Sequence, residues 1–69
     1  MTNAQFDTIT HMLRMTSQSI LVAARRVLID GEQQTRAALD AGCDRTALVR
    51  AVGRIRDAHQ KILNAYITD

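Results

Sequence analysis

The chain has no proline, glycine only at positions 31, 42 and 53, and aromatics only at Phe6 and Tyr66. With alanine and aliphatics plentiful, that is a helical composition. A lone cysteine, Cys43, excludes an internal disulfide and cannot build a zinc site by itself. No apolar run approaches the ~20 residues needed to span a bilayer. The start, MTNAQFDTIT, lacks the basic and apolar stretches of a signal peptide. These absences point to a cytoplasmic all-α chain without a membrane segment. Sixty-nine residues make a single domain, 1–69, which buries only ~60% of its unfolded surface. Additional stability is then expected from a partner or a second copy.

A net charge of +2 is too small to single out a nucleic-acid binder, but its distribution is uneven. Residues 45 to 61 hold Arg45, Arg50, Arg54, Arg56 and Lys61 against Asp57 alone. The first 44 residues carry four arginines and five acids. Cations gathered on one segment are the footprint expected of a phosphate-facing helix.

Four helical segments can be read from spacing. In the first, Phe6, Ile9, Met12 and Leu13 form one stripe with Met15 near its end, and Thr2 or Asn3 can cap its start. The methionines read as core and rim positions. Ser17 is positioned to cap the second, whose stripe runs through Ile20, Leu21, Ala24, Val27 and Leu28 before Asp30-Gly31 stops it. The third, QQTRAALDA, is short and ends at Gly42. The fourth opens at Asp44, whose carboxylate can accept from the first free amides. Its stripe, Leu48, Val52, Ile55, His59, Ile62 and Tyr66, alternates steps of four and three. The pattern allows one long helix or two broken near residues 57 to 60. The fold class is a small helix-turn-helix bundle of four to five helices.

Residues 34 to 53, QTRAALDAGCDRTALVRAVG, carry the functional reading. A helix-turn-helix needs a small residue where its helices cross, here Ala38. Its turn needs a residue tolerant of positive φ, here Gly42. Cys43, Leu48 and Val52 then fill the angle between the helices. At 100° per residue, Leu48, Ala51, Val52 and Ile55 face inward, while Thr46, Val49, Arg50, Gly53 and Asp57 face outward. An exposed valine suits a thymine methyl, and Gly53 lets the backbone approach a groove closely. Arg50 and Arg54 lie along one edge, where they can reach guanine O6 and N7. Arg45 and Arg56 lie along the other and suit phosphates, as does Arg36 on the preceding helix. The expected base contacts are therefore Arg50, Arg54, Val49 and Thr46, and the expected phosphate contacts Arg45, Arg36 and Arg56.

The stretch AARRVLIDGEQQTRAALDAGCDRTALVRAVGRI resembles the DNA-binding domain of the TrfB/KorA family of plasmid transcriptional repressors. Its distinctive parts are the helix end ARRVLIDG, a short gap to Gly42, and the run Arg45-x-Ala47-Leu48-x-x-Ala51-Val52-x-Arg54; Gln5-Phe6 also fits. The resemblance implies a homodimeric repressor that binds palindromic operators in promoters of plasmid maintenance or transfer genes. It also implies base reading from Arg50 and Arg54 with support from Arg45. Two departures stand out. Longer members continue into a separate dimerisation domain where this sequence stops at Asp69, and Val49 and Arg50 replace expected polar residues. The helix-turn-helix spans about residues 34–56, leaving 57–69 as a dimerisation extension through His59, Ile62, Leu63, Tyr66 and Ile67. Alternatively, those side chains pack back on the first helix.

Other polar residues have plainer readings. His11 and His59 have no ligand-spaced companions, so no metal or cofactor is expected. Cys43 reads as a small buried turn residue. Arg25-Arg26 is either solvated or touches phosphate. No nucleophile–base pair, phosphate-cradling loop or paired carboxylate argues for an enzyme. The expected partner is double-stranded DNA. The competing reading, from a different class, is a helical interaction module such as a small adaptor or antirepressor, using its arginine face on an acidic protein.

Overall fold

A computed structural model describes the backbone of residues 1–67 and the side chains of residues 1–65. It contains α1 (Asn3–Met12), α2 (Gln18–Leu28), α3 (Gln34–Ala41) and α4 (Arg45–Ile67), with no strand among the described residues. The fourth helix runs unbroken for 23 residues, so neither Gly53 nor the region near 57 to 60 interrupts it.

Each helix boundary has a local cause. Thr2 caps α1 in a reciprocal box: its hydroxyl accepts from the Gln5 amide, and the Gln5 side chain accepts from the Thr2 amide. Ser17 occupies the cap position of α2 but makes no side-chain cap hydrogen bond. After α2, Gly31 takes a φ of 75° and the chain folds back, so that the Glu32 amide donates to the Arg26 carbonyl. Gly42 closes α3 with a φ of 71°, which places the Cys43 amide 3.0 Å from the Ala38 carbonyl. Asp44 then starts α4, its carboxylate accepting from the Ala47 amide at 3.2 Å.

Alanine governs how closely α2 and α3 approach. Ala23 and Ala24 on α2 and Ala37 and Ala38 on α3 are all buried, and these two helices share the most extensive contact in the molecule. With methyl groups at the crossing, the backbones come together without displacing larger side chains. The bulk of the core is supplied by Phe6 and Ile9 of α1, Val27 of α2, and Leu48, Val52 and Ile55 of α4. The last helix packs against all three others.

One apolar position departs from the stripe expected for α1. Met12 is 63% exposed, while Thr10 is buried in its stead. At 100° per residue, Met12 lies roughly 110° round the helix from the centre of the arc defined by Phe6, Ile9, Thr10 and Leu13. Thr10 tolerates burial because its hydroxyl donates to the Phe6 carbonyl at 2.9 Å. Met15 is half-buried against the core, as its rim position required.

Candidate nucleic-acid interface

The turn between α3 and α4 fixes the angle at which the long helix leaves the core. Ala38 lies against that turn, Leu48 is fully enclosed, and Cys43 is half-buried against the core beside them. With Leu48, Ala51, Val52 and Ile55 all buried, the opposite face of the first three turns of α4 must look outward. Arg45, Thr46, Val49, Arg50, Gly53, Arg54, Arg56 and Asp57 are all exposed there.

Three features distinguish this face. Val49 is 45% exposed, an apolar side chain among cations. A Cβ built on Gly53 would meet nothing within 4 Å, so no intramolecular packing requires glycine at this position. Glycine in a helix interior costs roughly 1 kcal/mol against alanine. Finally, none of Arg45, Arg50, Arg54 and Arg56 takes part in an ion pair or side-chain hydrogen bond among the described residues. The acid on this face, Asp57, is engaged by Lys61 one turn away at 3.1 Å.

The arginines of α2 and α3 behave differently. Arg25 hydrogen-bonds Asn3, pairs with Asp7 at 2.5 Å and stacks its guanidinium 4.7 Å from the centre of the Phe6 ring. Arg26 grips Glu32 and also reaches Asp40 at 3.2 Å. The hydrogen bond to Glu32 is the largest influence on its guanidinium and raises its pKa, against an opposing pull from burial. This pair is therefore neither simply solvated nor free for phosphate. Each arginine ties α2 to another part of the chain. Arg36 is intermediate, exposed yet 3.9 Å from Asp40, which it shares with Arg26.

Towards the far end of α4, Ile62 is half-buried against the core and Leu63 is 37% exposed. His59 is half-buried with its Nε2 enclosed and without a hydrogen-bond partner among the described residues. The side chains of Tyr66 and Ile67 lie outside the described residues. A groove of about 290 Å³ opens between His59, Ile62 and Leu63 of α4 and the start of α1. No group of His, Cys, Asp or Glu among the described residues is arranged to hold a metal ion, and no described helix is long and apolar enough to cross a membrane.

Sequence spacing located the outward face of α4 but missed two features. Leu39 on α3 is 79% exposed, and the arginine–acid stitching of α2 depends on contacts remote in sequence. Only the adjacency of Arg26 to the Gly31 turn, which brings Glu32 back, could have hinted at the latter.

The chain is thus an all-α domain of four described helices whose last helix buries one face and leaves an unpaired cationic face on the other. It belongs to the TrfB plasmid transcriptional repressor family, whose family model, KORA, matches residues 1–66. No curated protein and no solved structure matches it.

Proposed function

We propose that this protein is a sequence-specific DNA-binding repressor of plasmid maintenance or transfer genes, acting as a homodimer on a palindromic operator. In this reading α3 and α4 form a helix-turn-helix, and the first three turns of α4 enter the major groove. Repression follows from occupying promoter DNA that RNA polymerase needs. The observation that carries the proposal is the outer face of α4: unpaired arginines flank an exposed valine and a glycine that no internal packing requires. Membership of a family of transcriptional repressors supports the same ligand.

The contacts divide by chemistry. Arg50 and Arg54 suit guanine O6 and N7, each good bidentate pair contributing about 1–3 kcal/mol of discrimination. Val49 suits a thymine methyl, and Thr46 either a base edge or the sugar–phosphate. Arg45 and Arg56 on the other edge, with Arg36 on α3, suit phosphates; Arg36 must loosen its contact with Asp40 to do so. Two copies joined through His59, Ile62, Leu63, Tyr66 and Ile67 would present two such faces to half-sites about one helical turn, ~34 Å, or a multiple of it, apart. A face that docked on an acidic protein would need the arginines but neither Val49 nor Gly53.

Binding titrations on a duplex recovered by selection and on a random duplex, each at several salt concentrations, test the proposal. The expected result is a specific affinity at least ~10³-fold above the non-specific one, with both falling steeply as salt rises. Equal affinity for the two duplexes would reduce the face to a general polyanion binder.

A further inference from the structure

We propose that Asp57 is a specificity-determining residue of the α4 face, where it accepts a hydrogen bond from the amino group of a cytosine in the major groove. The inference rests on the DNA reading above and adds to it a base contact made by an acid. Asp57 is the one acid between Arg45 and Ile67. Leu48, Ala51, Val52 and Ile55 set the centre of the buried arc of α4. At 100° per residue, Asp57 lies about 170° from that centre, on the outward line between Thr46 and Arg50, whereas Arg54 lies roughly 70° to one side of the line. Along the axis Asp57 sits less than one turn beyond Arg54.

Nothing in the fold calls for a carboxylate there. Its side chain is 67% exposed, and its partner among the described residues is Lys61, one turn on and 76% exposed. An exposed pair of this kind holds a helix only weakly. An acid in the middle of a DNA-facing arc costs affinity on every duplex, because every duplex brings phosphates to it. That cost is offset only on a sequence that offers the carboxylate a donor.

The base edges decide which sequence that is. Guanine and thymine present only hydrogen-bond acceptors in the major groove, and adenine sets an acceptor, N7, beside its amino group. Cytosine presents its N4 amino group with no acceptor beside it. A carboxylate is acceptor-only, so cytosine is the base it fits, and guanine and thymine are the bases it repels. Lys61 lies a further turn out, where it can exchange the carboxylate for a phosphate at the edge of the groove.

Selection from a random duplex library, run with the parent, Asp57→Ala, Asp57→Asn and Lys61→Ala, tests this. Circular dichroism should show the same helix content in all four. The parent consensus should hold a cytosine in each half-site at a position where Asp57→Ala shows no preference. Asp57→Asn should turn that position to adenine, since an amide pairs bidentately with adenine N6 and N7. Lys61→Ala breaks the same ion pair and should leave the consensus unchanged. In titrations, Asp57→Ala should lower the ratio of specific to non-specific affinity about five- to hundredfold. A parent consensus kept by both Asp57 variants would overturn the inference while the repressor reading stood. Loss of the same base preference in Lys61→Ala would overturn it too, by assigning the effect to the ion pair. Equal gains in affinity on both duplexes would place the carboxylate against phosphate and overturn it as well. No consensus from the parent would remove the repressor reading and the inference together.

Discussion

Arg25 and Arg26 on α2 and Arg50 and Arg54 on α4 are the same residue type in the same small domain, and they are used in opposite ways. The α2 pair is engaged within the fold: Arg25 with Asn3, Asp7 and the Phe6 ring, Arg26 with Glu32 and Asp40. The α4 pair has no partner among the described residues. A guanidinium with carboxylates on hand has its donors occupied and adds to the cohesion of the fold. One left in solvent contributes little to the fold and remains available to a phosphate or a guanine. Asp7, Glu32 and Asp40, all in the first 44 residues, produce this division. In this small domain the candidate binding face is picked out less by where positive charge lies than by where that charge is left unpaired.

That comparison can be broken from either side. The largest effect is expected for the double change Arg50→Ala, Arg54→Ala. Each loss should remove about 1–3 kcal/mol of discrimination for the selected duplex. Stability should stay within roughly 0.5 kcal/mol of the parent, since neither side chain touches the core. Titrations on specific and random duplexes, alongside a urea melt, check both halves. Equal losses on the two duplexes would assign these arginines to phosphate.

Gly53→Ala sharpens the contrast because fold and binding should move in opposite directions. Alanine should stabilise α4 by roughly 1 kcal/mol, since the added methyl meets nothing within the free protein. Affinity for the selected duplex should fall if the backbone at 53 approaches the groove. A variant that is more stable and binds equally well would remove Gly53 from the interface.

Arg25→Ala should show the reverse pattern to the arginine changes on α4. Losing a half-exposed ion pair and a cation–π contact should cost roughly 1 kcal/mol of stability. Specific affinity, measured well below the melting temperature, should be unchanged. The smallest effect is expected at Arg45. Its replacement by alanine should reduce the slope of log affinity against log salt by about 0.9, the value of one phosphate contact on duplex DNA. An unchanged slope would withdraw that contact.

Much of this was legible in the sequence. Positions 38, 42, 48 and 52 and the cap at Asp44 obey local rules of spacing, sterics and hydrogen bonding, which act within a few residues. The inward arc of α4 could be drawn for the same reason, and its outward arc follows by exclusion. The exposure of Met12 was legible in its angle on the helical wheel but was overridden by hydrophobicity, which favoured methionine over Thr10, whose hydroxyl is satisfied by its own helix. The engagement of Arg25 and Arg26 was hidden, since Asp7 and Asp40 are neighbours only after α1 and α3 fold against α2. Cys43 was expected to be buried and is half-buried, as its place at the edge of the turn dictates.

The central claim is that the outer face of α4 reads bases. The most direct test is selection from a random duplex library, performed side by side with the parent chain and with Arg54→Ala. The account expects a palindromic consensus from the parent, and from the variant the same consensus with the preference at one base pair of each half-site lost. Identical consensus sequences from the two proteins, or none from the parent, would contradict it.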